Sequence, residues 1–349
     1  MGRWRSRLPA RRASRNIREF TLPPAARQSL PLLKLRQLEQ RRVDVALVSP
    51  GQGDRPTVAA ERASRACNFL RLRVEARHRT VAEAVLDRPV LTVSLGTLPR
   101  PDGADVRRKL REIRDAFDFV KFGDNPRARA RVSPWAAAAV ALAEGVEPIV
   151  HVSCRDRNRL ALQSDLLGGR LLGVRNVLCL RGDEMEISDQ PEARAVRDLD
   201  VVDLIGLAAE EFCVLAAGDP AVGAGDEHLA RLRTKIAAGA RVLETQPVFD
   251  SDAFARWLRQ LREAGIDIPV LVDVSLVANP TEAELLERIP FVAAPPDLPA
   301  RLGRDPGAGI ALAAELVAGL LELEGVAGCH LSPLGGDPAM ALAVLERLR

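Results

Sequence analysis

Three apolar segments of this chain end abruptly on polar residues, and this pattern limits the possible fold more than any other feature. In the clearest of them, 177–183, the run Val-Leu-Cys-Leu is followed by an arginine, a glycine and an aspartate. The segments 148–154 and 242–246 end in the same way, and a helical stretch follows each. A continuous apolar run is typical of a parallel strand that is buried on both faces. Polar groups are therefore expected to gather at one end of a parallel sheet, where α/β enzymes keep their sites.

From Val90 onward, strand-like and helix-like segments alternate along the chain. The predicted strands are 90–95, 117–123, 147–153, 175–181, 211–216, 241–246, 269–277 and 326–332. Amphipathic stretches such as 104–116 and 227–238 lie between them. Eight such units over about 250 residues predict an α/β fold of the (β/α)8 TIM barrel class. A doubly wound sheet is the main alternative, although its G-x-G-x-x-G fingerprint is absent.

The first 85 residues differ in character from the rest. Residues 1–20 carry seven arginines against the single acid Glu19. We expect 1–85 to be an irregular, Arg-rich N-terminal extension, poorly ordered or weakly packed, and 86–349 to be the barrel domain. A disordered tail or a start codon placed too far upstream is favoured over a nucleic-acid-binding arm. The whole chain carries +3 and residues 1–20 carry +6, so the rest carries −3, which argues against nucleic acid as the main partner.

The composition indicates the cellular compartment in which the protein is expected to work. No apolar run is long enough to cross a bilayer, and the first residues lack the apolar core of a secretory signal. The five cysteines are scattered without a Cys-x-x-Cys pair, so neither a structural metal site nor a disulfide framework is predicted. We expect a soluble protein of the reducing cytoplasm, with no membrane partner.

The predicted strand ends bring several reactive groups to one barrel mouth. The segments 124–127, 151–158 and 181–183 follow the second, third and fourth strands, and Gln246 and Asp250 follow the sixth. A ligand there would meet a cation, a carboxylate, an amide and an imidazole. A glycine at 182 would let a flat ring approach the backbone.

Several blocks of this sequence, in one order, strongly resemble the 5,10-methylenetetrahydrofolate reductase family. The first blocks are 147–158 (EPIVHVSCRDRN), 162–167 (LQSDLL) and 173–183 (GVRNVLCLRGD). The others are 124–134, 231–250 with its LETQPVFD ending, and the tail from 307 to 333. The likeness covers about residues 88–349, and several motifs in series are more specific than any one alone.

The resemblance implies a flavin-binding barrel that passes a hydride from NAD(P)H to methylenetetrahydrofolate, in one-carbon metabolism and methionine biosynthesis. Carried over by position, the residues that would contact FAD are His151, Arg181, Gly182 and Asp183. Lys235 would help to hold the nucleotide part of FAD, and Gln246 would hydrogen-bond the pterin. Asp183 would also be catalytic, because a carboxylate near the flavin stabilises a cationic folate intermediate.

The chain departs from the family at the general acid, a glutamate on the first strand. The stretch 91–100 contains no carboxylate, and Ser94 or Gly96 takes the position, depending on the alignment. Without an acid, opening of the methylene bridge should slow by a factor of about 10²–10⁴. The altered seventh strand supplies Asp273, a candidate substitute acid. His228 and Thr234 also replace residue types that the family prefers near the cofactor.

Three functional classes stay open. The first is a divergent flavin-dependent reductase. The second is an enzyme that acts on another one-carbon or pterin substrate, or a folate site without flavin. The third is a non-catalytic subunit that binds folate or a partner reductase, and a homo-oligomer is compatible with each class. Structural interpretations also remain: His151 as a core histidine, Arg181 paired with Asp183, and Lys235 as a solvated lysine. The arginines at 127, 129 and 131 either bind phosphate or solvate a loop, and the loop interpretation is slightly favoured.

Overall fold

The computed structural model describes residues 79–348 apart from 97, 101, 287–291, 293 and 306. Eight parallel strands form a closed barrel in sequence order, and β8 pairs with β1. The strands are β1 Val90–Ser94, β2 Phe119–Phe122, β3 Glu147–Ser153, β4 Asn176–Leu180, β5 Cys213–Gly218, β6 Ala240–Thr245, β7 Val270–Leu276 and β8 Val326–Pro333. Each predicted strand overlaps one of these, so the TIM barrel prediction is confirmed.

Helices follow the strands around the outside of the barrel. They are α1 Val81–Ala84, α2 Gly103–Ile113, α3 Pro134–Ala143, α4 Arg159–Leu172, α5 Val201–Ala209, α6 Asp226–Ala237, α7 Ser251–Glu263, α8 Pro280–Leu286, α9 Leu298–Arg304, α10 Ala308–Glu322 and α11 Ala339–Arg347. The predicted helices 104–116 and 227–238 correspond to α2 and α6. Helix α7 shows why such stretches fold: one face is buried against the barrel, and Asp250 caps the first turn by accepting two backbone N–H bonds of 2.9 Å.

Helix α1 closes the N-terminal end of the barrel. Thr80 and Glu83 form a capping box at its start. Val81 is fully buried, and its N–H donates a 2.8 Å hydrogen bond to the side-chain oxygen of Asn176. Residues 79–85 are therefore part of the packed barrel, although they fall inside the predicted extension. Residues 1–78, which include the rest of that extension and Cys67, lie outside the described residues.

The lower half of the barrel interior contains a layer of apolar side chains. Strands β1 to β7 contribute a continuous layer above α1: Val90, Phe119, Ile149, Leu178, Cys213, Leu215, Val242 and Leu271. Full burial of a side chain of this size stabilises a fold by roughly 1.5–3 kcal/mol. Among the described residues, this layer fills the N-terminal end of the interior, and the polar groups above it lie towards the C-terminal ends of the strands.

Two sequence expectations concern cysteines and membranes. The four cysteines of the described residues, Cys154, Cys179, Cys213 and Cys329, are all buried and free. Such burial is typical of cysteines that pack as small apolar residues. Among the described residues, no helix combines the length and the hydropathy needed to cross a bilayer.

Candidate active site

Arg155 contacts the loops that follow β2, β3 and β4 and connects them. Its side chain is 1% exposed and pairs with Asp156. The same guanidinium donates to the backbone carbonyls of Asn125, at 3.0 Å, and Asp183, at 3.3 Å. These three loops therefore form one rigid side of the barrel mouth.

Asp124 reinforces this side of the mouth from below. It is buried, accepts the Ser153 N–H at 2.8 Å and forms an ion pair with Arg157. Burial raises the pKa of Asp124, and the Arg157 charge opposes that rise. Arg157 also pairs with Asp165 on α4 at 2.8 Å, which anchors the β3 loop to its helix.

The segment after β4 lies at the rim of the mouth. Arg181 is 64% exposed and pairs with Glu184, so its interpretation as a partner of Asp183 is wrong. Asp183 is exposed and accepts the backbone N–H of Arg127 at 2.5 Å. Its carboxylate thus joins the β4 loop to the β2 loop.

The packing of the β4 turn requires a glycine at position 182, whether or not a ligand is bound. Its φ is +85°, and a Cβ there would lie 2.7 Å from the Cβ of Arg155 and 3.3 Å from that of Ser153. The glycine therefore lets the β4 turn pack against β3. This contact gives Gly182 a structural role besides the close approach of a flat ligand ring expected from the sequence.

His151 and Ser153 at the end of β3 carry unpartnered polar atoms. Nε2 of His151 and Oγ of Ser153 are buried without a hydrogen-bond partner among the described residues. Burial, and to a smaller extent the charge of Lys121, lowers the pKa of His151 to about 3. The imidazole is therefore neutral near pH 7 and is free to bond to a ligand.

Lys235 and Gln246 converge on the end of β5. Nζ of Lys235 donates to the backbone carbonyl of Ala217 at 2.7 Å. The backbone N–H of Gln246 donates to the backbone carbonyl of Gly218 at 3.0 Å. Lys235 is partly buried, and burial lowers its pKa, so its interpretation as a fully solvated lysine is wrong. Gln246 is also partly buried, at the mouth end of β6.

Other candidates from the sequence have structural explanations. Asp250 is the N-cap of α7. His228 is buried against Trp257, with ring centroids 6.3 Å apart. The hydroxyl of Thr234 donates to the carbonyl of Ala230 within α6 at 3.0 Å. None of these contacts places the side chain of Asp250, His228 or Thr234 in the barrel mouth.

The structure also shows a group of polar side chains inside the barrel that sequence reasoning largely missed. We call it the lumen ring; it lies directly above the apolar layer and consists of Thr92, Ser94, Lys121, His151, Glu244, Asp273, Ser275, His330 and Ser332. The buried Lys121 on β2 forms an ion pair with the buried Glu244 on β6. These strands are not neighbours, so the pair spans the barrel interior. The sequence signal is a lysine inside the otherwise apolar β2 and a glutamate near the end of β6.

His330 joins the first strand to the lumen ring. Its Nδ1 lies 2.8 Å from Oγ1 of Thr92, and its Nε2 lies 3.0 Å from Oγ of Ser94. Gly96, the alternative position for the missing acid, has a φ of +70°, and a Cβ there would lie 2.3 Å from Cα of Gly336. The structure therefore selects Ser94 as the position that can hold a side chain facing the site.

The neutral state of His151 should make stability depend on pH. Because its folded pKa is about 3 and an unfolded histidine titrates near 6.5, the unfolded state binds more protons between these values. This contribution to stability is present above pH 6.5 and is lost as the pH falls towards 3. We expect the stability difference between the wild type and His151→Gln to shrink by at most about 1.4 kcal/mol per pH unit below 6.5. Urea denaturation between pH 7.5 and 4.5 measures this, and a constant difference would contradict it.

A closed (β/α)8 barrel with polar and charged side chains at the C-terminal ends of its strands places this protein in the class of TIM-barrel proteins, with a candidate site at the mouth. Residues 105–349 match the family model of methylenetetrahydrofolate reductase. The chain belongs to the methylenetetrahydrofolate reductase family. The resemblance inferred from the sequence is thereby confirmed.

Curated relatives match parts of this chain. Methylenetetrahydrofolate reductase 1 of Schizosaccharomyces pombe is 32% identical over 133 residues, which are 36% of this chain and 22% of that protein. The 5,10-methylenetetrahydrofolate reductase of Salmonella typhimurium is 28% identical over 182 residues, 50% of this chain and 59% of that protein. The matched region therefore spans less than two thirds of either relative. Both relatives are named as reductases.

One solved structure shares the fold over most of its length. It is described as an uncharacterized protein from Clostridium thermocellum that binds two copies of 5-methyl-5,6,7,8-tetrahydrofolic acid. The match has a TM-score of 0.57 and 11% identity, and it covers 76% of this chain and 95% of that one. At this identity the likeness shows the fold alone.

Proposed function

We propose that this protein reduces 5,10-methylenetetrahydrofolate to 5-methyltetrahydrofolate with NAD(P)H, using bound FAD. The observation that supports this most is the position of His151, Asp183 and Gln246 on three different strand ends of one barrel mouth. These residues carry the family resemblance, and the chain belongs to the family. Cytoplasmic location and a place in methionine biosynthesis are part of the same proposal.

The residues at the mouth fit a flavin. The unpartnered His151 Nε2 and Ser153 Oγ offer hydrogen bonds to a ligand. The β2 loop adds the arginines at 127, 129 and 131, and the Nε atoms of Arg129 and Arg131 are also buried without a partner in the described part of the chain. Guanidinium groups suit the diphosphate of FAD. When bound, the flavin supplies hydride transfer, and the protein supplies orientation and charge.

The folate part of the proposal rests on Gln246 and Asp183. An amide at the end of a buried strand can both donate to and accept from a pterin edge. The exposed Asp183 places a negative charge at the rim, where it favours a cationic folate intermediate. The folate ligands named for the Clostridium thermocellum protein agree with this choice.

The first test is the visible absorption spectrum of the purified full-length protein, followed by anaerobic addition of 5-methyltetrahydrofolate. We expect a flavin spectrum that bleaches on addition. Gln246→Ala should raise the folate concentration for half-maximal bleaching roughly tenfold, through loss of a hydrogen bond to the buried pterin, and should leave FAD content unchanged. Gln260→Ala, on the exposed face of α7, is the matched control.

The absence of a first-strand carboxylate favours a second candidate, a folate-binding barrel that acts without flavin or on another one-carbon or pterin substrate. A colourless protein that takes up no added FAD but binds 5-methyltetrahydrofolate would support this candidate over the reductase. A non-catalytic subunit, with a partner reductase or a second copy of the chain, would bind folate and show no turnover. The spectrum and the binding titration together separate these cases.

A further inference from the structure

Among the residues that the structure describes, the two acidic side chains of the lumen ring differ in their burial and in their partners. Glu244 is buried and engaged by Lys121. Asp273, in the middle of β7, is only partly buried. Its Oδ1 accepts a 2.6 Å hydrogen bond from the hydroxyl of Ser332 on β8. Asp273 is therefore held in place by its neighbour, and unlike Glu244 it is not fully buried.

The backbone of Asp273 fixes this residue beside the predicted folate contact. Its N–H donates to Oγ1 of Thr245 at 3.0 Å, and its carbonyl accepts the N–H of Val248 at 2.9 Å. These two partners flank Gln246 in the sequence. A pterin bound by Gln246 would consequently lie next to the β7 position of Asp273.

The same carboxyl group also lies near the position of the missing acid. One carboxylate oxygen of Glu244, one of Asp273 and one ring nitrogen of His330 all lie within 4.8 Å of one another. The His330 ring in turn contacts Ser94, one of the two positions at which the resemblance places the family's glutamate. A proton donor on β7 can thus serve the region that a glutamate on β1 would reach.

The surroundings raise the pKa of Asp273 into the neutral range, so a large share of the carboxyl group carries a proton near pH 7. Burial, followed by the charge of Glu244, raises the pKa of Asp273 to about 7, against the opposing effects of Ser332 and Lys121. Burial lowers the pKa of His330 well below its usual value, so this ring stays neutral, as does His151.

A divalent cation is a less suitable occupant of this cluster. The ammonium of Lys121 already neutralises Glu244, and both ring nitrogens of His330 are engaged by hydroxyl groups. A cation would have to displace these contacts and lie beside a buried positive charge. The cluster is therefore better suited to proton transfer than to metal binding.

We propose that Asp273 is the catalytic acid of this barrel and takes the place of the first-strand glutamate of its relatives. This inference rests on the proposed function. The O–H bond of Asp273 breaks as an N–H bond forms at N10 of 5,10-methylenetetrahydrofolate. The bond between N10 and the methylene carbon breaks, and its electron pair goes to N10. The products are an iminium cation at N5 and the Asp273 carboxylate, so charge is conserved, and the iminium carbon then accepts the hydride of the proposed reaction.

The test compares two half-reactions of the Asp273→Asn variant by stopped-flow absorbance. Reduction of the flavin by NAD(P)H needs no acid and should keep its wild-type rate. Reoxidation by methylenetetrahydrofolate should slow by a factor of about 10²–10⁴. In the wild type this second rate should fall as the pH rises through about 7, and the variant should lose that dependence. Adding Ser94→Glu to the variant should restore part of the rate.

The outcomes separate the two proposals. A wild type that holds no flavin and reduces no methylenetetrahydrofolate overturns the proposed function, and the role of Asp273 with it. An active wild type whose Asp273→Asn variant keeps the second rate and its pH dependence overturns the role of Asp273 alone. Equal slowing of both half-reactions would also overturn it, because that result indicates structural damage to the site.

Discussion

Replacement of Lys121 by methionine is expected to destabilise the protein by about 3–5 kcal/mol near neutral pH. Lys121 is 1% exposed, and its ammonium group reaches across the barrel to Glu244, which is itself 6% exposed. Burial lowers the pKa of Lys121, and the Glu244 carboxylate opposes this shift by stabilising the charged form. Removal of the ammonium leaves a buried carboxylate without a counter-charge. Urea denaturation monitored by circular dichroism measures the loss.

The matched control for this prediction removes both charges. In Lys121→Met/Glu244→Leu no charge of the pair remains, and buried ion pairs can often be replaced by apolar residues at little cost. We expect the double variant to recover most of the lost stability. The double-mutant cycle, completed with Glu244→Leu, should then give a coupling of several kcal/mol. Equal stability of the Lys121→Met and double variants would show that the pair does not neutralise the barrel interior.

Two adjacent glycines of α4 should respond to alanine in opposite directions. A Cβ at Gly169 would lie 2.0 Å from Cζ3 of the buried Trp135, so Gly169→Ala forces the indole or the helix to move. Overpacking of this kind destabilises a core by about 1–3 kcal/mol. A Cβ at Gly168 meets nothing within 4 Å, and alanine there gains helix propensity of about 1 kcal/mol.

Thermal and urea denaturation of the two variants test this pair of expectations. The substitution is the same in both, and the positions are consecutive in one helix, so differences in the unfolded chain largely cancel. Only the contact with Trp135 distinguishes them. Similar stability changes for both variants would contradict the close packing of α4 against Trp135.

Much of the architecture could be predicted because each parallel strand is buried on both faces. The apolar run 177–180 and its polar ending defined β4 and the rim loop without any knowledge of neighbours. The positions of Arg181 and Lys235 could not be predicted in the same way. Their ion pair with Glu184 and hydrogen bond to the Ala217 carbonyl depend on how loops and helices dock.

The sequence by itself determined the number and order of the strands, their polar C-terminal ends and the family resemblance, because these follow from local hydrophobic runs and linear motifs. Only the tertiary structure decided which side chains share the barrel interior. Lys121 and Glu244 are 123 positions apart and meet because the barrel closes. Closure also leaves space for a side chain at Ser94, excludes one at Gly96 and brings Asp273 beside His330. Such contacts depend on the packing of distant strands, which no local pattern encodes.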